Sequence, residues 1–332
     1  MDKARVCFLV PYTGRWPRWC KLFFDSVGRN PVIDVIVACT TVPPCTLPPN
    51  VRLYELTSGE LSSRFGKATG LTVGIISGHK LCDFRPFFGL AFADLLAGYE
   101  FWGFCDIDLV LGDLSKFLTS DFLNPMDVFS AHDQQIVGHF TIIRNCDRLN
   151  RLAFEMKGWQ QACLLPSTAM VEEKNFSGAL DEAPDVRWIK PNSLFEELAS
   201  GCCRQGITFG FRGEIAYLAG SRPALVEERD GRMIYIDEAM KAEVLYVHFM
   251  GLKHWWHWIA YRAIDSHPRF SRVGYGGPTR VDSLTKFPWR QLWVFQMWLV
   301  KGKSWFGGVL RQILPQGAFL SVRRIILGRS RY

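Results

Sequence analysis

Two carboxylates stand one residue apart at the end of an apolar run, Phe101-Trp102-Gly103-Phe104-Cys105-Asp106-Ile107-Asp108. A continuous apolar stretch of this length predicts a buried strand, and open α/β sheets place their ligands at the carboxyl ends of such strands. Alternation along an extended chain points Asp106 and Asp108 to one side. Two hard oxygen donors converging there suit Mg²⁺ or Mn²⁺, with water and the phosphate oxygens of a substrate completing the coordination. That is the chemistry of a nucleotide-sugar site. An Asp-x-Asp triplet also recurs by chance, so two exposed loop aspartates after a strand is the competing reading.

The surrounding pattern says how such a pair would be held. Strands are predicted at residues 6–10, 32–39, 51–54, 128–131, 139–143, 233–235 and 244–249, and helices at 19–27, 61–66, 86–96 and 147–156. Four prolines between Thr41 and Asn50 preclude regular structure there. Residues 160–200 mix acidic and apolar side chains without a clear period and read as loops around an acceptor site. The βαβ order gives an α/β fold with a mainly parallel central sheet flanked by helices and a Rossmann-like nucleotide-binding half.

Several segments carry a family resemblance. Lys80-Leu81-Cys82-Asp83-Phe84-Arg85-Pro86, then Gly98 through Asp108, then Gly112-Asp113-Leu114 resemble bacterial GT-A-type glycosyltransferases of capsule and surface-polysaccharide biosynthesis. Val10-Pro11-Tyr12, Gly138-His139-Phe140-Thr141, Arg144-Asn145, Leu180-Asp181-Glu182 and Val247-His248-Phe249 match in the same order, so the likeness spans roughly residues 5 to 250. Their joint specificity exceeds that of any one motif. The chain departs from the pattern at His79, where an aromatic residue is expected, and at Thr40 and Thr41, where an acidic one is.

The resemblance implies a GT-A-like fold, a Mn²⁺ or Mg²⁺ cofactor, a nucleotide-sugar donor with a UDP-sugar favoured, and a glycan or lipid-linked glycan acceptor. Asp108 is then a direct metal ligand, Asp106 a ligand or a contact to ribose and metal-bound water, and His248 the third ligand. A core histidine bonded to backbone is the alternative for His248. Tyr12 can stack on a base whose edge meets the main chain at Pro11. Lys80, Asp83 and Arg85 together suit a sugar diphosphate, with cations toward phosphate and the carboxylate toward hydroxyls. Asp83, three residues before Pro86, is equally suited to cap the helix that follows. On the acceptor side, Asp181 and Glu182 are candidate general bases if the reaction inverts the anomeric centre. His139 is a second acceptor-side candidate.

The 332 residues, 48% of them hydrophobic, form one large core or one core with an appendage. The net charge of +7 is unevenly spread. Residues 251–332 hold 14 Lys and Arg against only Asp265 and Asp282, and they also hold seven of the 12 tryptophans. This divides the chain into a catalytic part, 1–250, and a basic, Trp-rich helical extension, 251–332. Phe287 to Val300 is shorter than the ~20 residues a spanning helix needs. Tryptophan with Lys and Arg is instead the composition of a helix lying in an anionic membrane surface, and a helical cap on the core is the alternative. No nucleic-acid motif accompanies the basic residues.

All ten cysteines precede residue 204 without a Cys-x-x-Cys pair, as in a protein with reduced thiols, and no signal-peptide pattern opens the chain. The expected location is cytoplasmic, peripheral on the inner face of a bacterial plasma membrane. Two other functions fit the composition. A sugar-phosphate nucleotidyltransferase would need a Gly-rich basic loop after the first strand, where Thr13-Gly14-Arg15-Trp16-Pro17 has a single glycine. A non-catalytic, membrane-associated carbohydrate-binding protein would bind glycans and release no nucleotide.

The basic extension generates a prediction. Each Lys or Arg near an anionic surface contributes roughly 1 kcal/mol, and tryptophan adds partitioning that salt does not screen. The intact chain should sediment with anionic vesicles at low salt and leave a bound fraction at high salt, while removal of residues from Phe287 onward should release it. No sedimentation of the intact chain at low salt refutes the membrane reading.

Overall fold

A computed structural model describes residues 5–17, 19–74, 78–208, 225–236, 240–248, 272–274 and 277–279. The chain divides into two units, residues 1–281 and 282–332, and all described residues belong to the first.

The main sheet has seven strands in the order β3-β2-β1-β4-β7-β6-β8. These are β1 (Val6–Tyr12), β2 (Ile33–Cys39), β3 (Val51–Glu55), β4 (Phe101–Cys105), β6 (Val128–Ser130), β7 (Phe140–Arg144) and β8 (Trp188–Ile189), with β5 (Leu109–Leu111) lying outside it. The β3-β2-β1-β4 half is wholly parallel, β7 runs antiparallel to both β4 and β6, and β8 is parallel to β6. The fold is therefore mixed α/β with a mostly parallel central sheet. Every residue of β4 is buried, which is why its sequence is continuously apolar instead of alternating.

Two smaller sheets complete the described structure. One has the order β10-β14-β5, with β10 (Ile207–Thr208) and β14 (Tyr246–His248). The other runs β16-β15-β11-β12-β13-β9, formed by β9 (Cys202–Cys203), β11 (Leu225–Arg229), β12 (Arg232–Ile236), β13 (Lys241–Val244), β15 (Arg272–Gly274) and β16 (Gly277–Thr279).

Helix α1 (Cys20–Gly28) returns the chain from β1 to β2 and buries Leu22, Phe23, Phe24 and Val27. Just beyond it Asn30, buried, donates to Gly112 O at 2.9 Å and accepts from Leu114 N at 2.8 Å, tying this crossover to the exit of β5. Helix α2 (Ser58–Thr69) starts at a capping box in which Thr57 and Glu60 satisfy each other's backbone N–H, and it stops at Gly70, whose φ of 71° favours glycine.

Three expectations change. Residues 86–96 do not form one helix: a 3-10 segment, Gly78–Phe87, runs into a single α-turn, Phe88–Ala91, which ends at Phe92, where φ of −122° leaves helical geometry. Residues 147–156 likewise split into Asp147–Asn150 and a 3-10 turn, Leu152–Glu155. The stretch 160–200, expected to be loops, holds helices Trp159–Leu164, Val171–Asp181 and Leu194–Ser200. The helical period of Val171–Asp181 is hidden in the sequence because its buried face includes Glu172 and Ser177 beside Phe176, Ala179 and Leu180.

Within the extension expected to be helical, β15 and β16 are strands, and β15 pairs antiparallel with β11. The Trp-rich stretches 287–300 and 309–327 lie outside the described residues. Among the described residues no helix is long and apolar enough to cross a membrane.

One face of the main sheet packs an aromatic cluster of Phe65, Phe84, Phe87, Phe88, Phe92, Trp102 and Phe104. The indole N–H of Trp102 donates to Asn150 Oδ1 at 2.7 Å, so even this buried polar atom is satisfied. Between Trp102 and Phe104, Gly103 lets neighbours approach the strand closely: a Cβ there would lie 2.5 Å from Thr141 O and 2.9 Å from the Phe8 ring. Backbone cannot retreat as a flexible side chain can. Gly103→Ala is expected to cost about 1–3 kcal/mol, read as a lower urea midpoint at unchanged slope; an unchanged midpoint would contradict the close packing of β4 on β7.

Candidate metal centre

Parallel strands β1, β2 and β4 all end at one edge of the main sheet, at Tyr12, Cys39 and Cys105. The aspartates follow directly from β4. Asp106 N donates to His139 O at 3.3 Å, which extends the β4–β7 pairing by one step and fixes the start of the turn. After Asp108 the chain leaves as β5, which pairs antiparallel with β14 so that Leu109 faces His248. That register brings a histidine 140 positions downstream of Asp108 to its side.

Asp106, Asp108 and His248 each offer a ligand atom, and the three atoms lie within 4.8 Å of one another. His248 Nε2 is 3.4 Å from Asp108 Oδ1 and 3.9 Å from Asp106 Oδ2. Its Nδ1 lies 3.3 Å from Thr208 Oγ1, held there by the parallel pairing of β10 with β14. The Nε2 atom is buried and has no hydrogen-bond partner among the described residues. A polar atom left in that state costs on the order of 1–3 kcal/mol, and a cation between it and the carboxylates removes the cost. The residues present therefore fit a divalent metal. Two carboxylates and one imidazole suit Mn²⁺ better than Mg²⁺, whose preference is for oxygen alone. Asp108 is itself buried.

His139 stands behind the cluster. Its ring stacks on that of His248, with centroids 4.4 Å apart and planes at 24°, and its Nε2 shares a 2.7 Å hydrogen bond with the Tyr246 hydroxyl. Burial, aided by His248, pulls its pKa well below the ordinary histidine value, so the ring is neutral. It braces the candidate ligand and does not stand open toward an acceptor.

Arg85 reaches the cluster from the 3-10 segment. One guanidinium nitrogen makes a close ion pair with Asp106 Oδ1, and the other donates to Glu172 Oε1 at 3.3 Å. Burial works against the charge of Arg85, and the neighbouring Asp106 carboxylate, with Glu172 behind it, more than restores it. Burial raises the pKa of Glu172 itself, and Arg85 opposes that rise. Cys82, pushed up to about 12 by burial, adds no charge. Gly138 makes the approach possible, since a Cβ there would collide with the Arg85 guanidinium. Glu172 is the site-facing residue that sequence reasoning missed.

Lys80 and Asp83 are buried and paired to each other at 2.9 Å. Lys80 also donates to the carbonyls of Ala162 and Ser167, while Asp83 accepts from Ala169 N at 2.8 Å, Val171 N at 3.4 Å and Thr168 Oγ1 at 3.3 Å. Asp83 thus caps the start of Val171–Asp181, not the segment that follows Pro86. Tyr12 stacks on Trp16, centroids 3.9 Å apart, and its hydroxyl donates to Arg15 O at 3.2 Å. Pro11 precedes it at the end of β1.

Asp181 and Glu182 sit at the opposite end of the helix from Glu172. At 1.5 Å per residue they are about 14 Å along its axis from the Arg85 contact. Both are exposed and ion-paired, Asp181 to Lys190 at 3.3 Å and Glu182 to Lys157 at 2.7 Å. The structure does not bring them to the metal cluster.

A profile described as a family of unknown function, DUF6625, matches residues 8–256. None of the curated proteins matches the chain. Among solved structures, galactosyltransferase LgtC in complex with donor and acceptor sugar analogs is similar at 12% identity and a TM-score of 0.33, over 55% of this chain and 72% of that one. GlyE, a glycosyltransferase of Streptococcus pneumoniae, gives 12% and 0.31, and the chain spans 45% of its length while 57% of this chain is covered. Mouse xyloside xylosyltransferase 1 gives 9% and 0.35, over 56% and 84%. At such scores the strand order and the site geometry carry the argument by themselves.

The state of His139 predicts a pH dependence for the metal-free protein. Its folded pKa lies below the unfolded value near 6.5, so below that pH the unfolded chain takes up a proton that the folded one refuses. Stability is then full above about 6.5 and falls as pH drops, by up to about 1.4 kcal/mol per unit. His139→Gln should flatten this slope in urea midpoints measured between pH 5 and 7.5; an unaltered slope would mean the ring is protonated within the fold.

Proposed function

The chain belongs to the DUF6625 family of unknown function, and we propose that it is a metal-dependent glycosyltransferase that moves a sugar from a nucleotide-sugar donor, a UDP-sugar favoured, to a glycan or lipid-linked glycan. The observation that carries this reading is the meeting of Asp106, Asp108 and His248 at the carboxyl edge of the parallel strands, with a buried imidazole nitrogen that no described group satisfies.

Departure of a nucleoside diphosphate requires neutralisation of the charge that builds on its phosphates. A divalent cation held by Asp106, Asp108 and His248 supplies that as a Lewis acid. The protein's part is positional. Thr208 fixes the imidazole through Nδ1, and His139 packs on its face, so that Nε2 points toward the carboxylates. Arg85 holds one oxygen of Asp106 and leaves the other toward His248. The ends of β1 and β2, with Tyr12 and Thr40, flank the same edge, where a base and ribose would lie in an open α/β sheet.

Acceptor activation is not assigned to Asp181 and Glu182, which stand away from the cluster. The Arg144-Asn145 motif of the family likeness has a structural role. Arg144 donates to the carbonyls of Leu123, Asn124 and Met126, and Asn145 to those of Leu96 and Tyr99. Association with the anionic inner face of a bacterial membrane in surface-polysaccharide biosynthesis belongs to this proposal through the basic composition of residues 251–332 alone.

A donor screen tests the reading: release of nucleotide from UDP-, GDP-, CMP- and dTDP-sugars with Mn²⁺ present or chelated. Metal-dependent release from one donor class is expected, and none from any donor would refute it. Asp108→Asn should lower that release by more than about a hundredfold, and His248→Ala should raise the Mn²⁺ concentration needed for half-maximal rate, with both proteins folded by circular dichroism. Full activity of Asp108→Asn, or an unchanged Mn²⁺ requirement in His248→Ala, removes that residue from the metal site.

A further inference from the structure

Glu172 belongs to no motif singled out in the sequence and to no ligand set, yet it is one of the most buried charged groups described. Its Oε1 accepts from Arg85, while Oε2 has no hydrogen-bond partner among the described residues. A carboxyl group is not held in that condition by chance, because desolvation costs more than one distant ion pair returns. The neighbourhood is built to keep it there. Asp83 caps the first turn of its helix, Glu173 Oε1 accepts from Gly138 N at 3.2 Å, and Gly138 has no side chain to displace Arg85.

Resting on the metal reading above, we propose that Glu172 is a positioning residue for the metal centre, acting through Arg85 to set both the orientation and the charge of Asp106. Arg85 bridges the two carboxylates. Held by Glu172 on one side, its guanidinium meets Asp106 Oδ1 and leaves Oδ2 on the side of His248. The charges in contact are three carboxylates, Asp106, Asp108 and Glu172, and one guanidinium. With Glu172 ionised beside Arg85, their balance is two negative charges, the complement of a divalent cation. Without Glu172 the guanidinium is compensated by Asp106 alone, so the ligand is partly neutralised and the centre falls short by one charge.

The test is Mn²⁺ binding to the full chain by calorimetry at pH 7.5 without donor, which reads the centre apart from catalysis. Glu172→Gln keeps the shape and removes the charge. It should weaken Mn²⁺ by about tenfold or more, as loss of partners around metal ligands does. In an Arg85→Gln background the same change should cost less than about a third of that factor, because the route through the guanidinium is gone. Unchanged affinity in Glu172→Gln overturns the proposal, and so does an equal loss with and without Arg85. Should the double variant not fold, Gly138→Ala serves in its place, since its Cβ displaces the guanidinium. Wild-type protein that takes up no Mn²⁺ overturns the metal reading and this inference together, whereas tight wild-type binding with an indifferent Glu172→Gln overturns this inference alone.

Discussion

Desolvated charge is what the rest of this structure must accommodate. Asp108 and Glu172 are buried, Arg85 lies between carboxylates, and a neutral His139 is pressed against His248. Each of these groups would be cheaper in water. They stay inside because backbone from several elements closes around them: β4 and β7 at Asp106, β5 and β14 at Asp108 and His248, and the first turn of Val171–Asp181 at Glu172. The aromatic cluster beneath β4 supplies the apolar burial that offsets the cost.

The closure is non-local. Val110 pairs with Val247 and Leu109 with His248, while His248 is flanked on its other side by Thr208. A slip of one residue in the β5–β14 register would turn His248 away from Asp108, because strand side chains alternate faces. Asn30 guards that register indirectly by holding Gly112 and Leu114 just beyond β5. Stability and ligand geometry therefore share the same hydrogen bonds, and changes far from the cluster, at Asn30 or Gly103, act on the site through strand position.

The legible part of the site was the part written in consecutive residues. The β4 run and Asp106-Ile107-Asp108 could be read from period and polarity, because a strand buried on both faces leaves a continuous apolar signature that ends abruptly in two carboxylates. His248 was reachable only through a family likeness, since nothing local distinguishes it from a core histidine and β5, three residues long, has no period to announce its partner. Glu172 was illegible: its helix buries a glutamate and a serine on the face that should read as apolar, so the stretch looked like loop. Asp181 and Glu182 were chosen as an adjacent acidic pair, a pattern that on an exposed helix end serves ion pairing equally well. For Lys80, Asp83 and Arg85 the types were apt and the division of labour was hidden.

That division follows from local conformation. Gly78–Phe87 is a 3-10 segment, with three residues per turn, so Lys80 and Asp83 fall in one row while Arg85 points about a third of a turn away. An α-helix would have spread the same residues differently, and Pro86 stands in the way of one. The first row is spent inside, where Lys80 and Asp83 fasten the 162–171 helix-to-helix connection and set the start of the helix that carries Glu172. The second row faces the sheet edge, where Arg85 meets Asp106. One short segment thus fixes Glu172 from behind through Asp83 and engages it from the front through Arg85. Position of the helix and charge at the metal centre are coupled within six residues of chain, and a substitution at Lys80 or Asp83 should be felt at Asp106 without touching it.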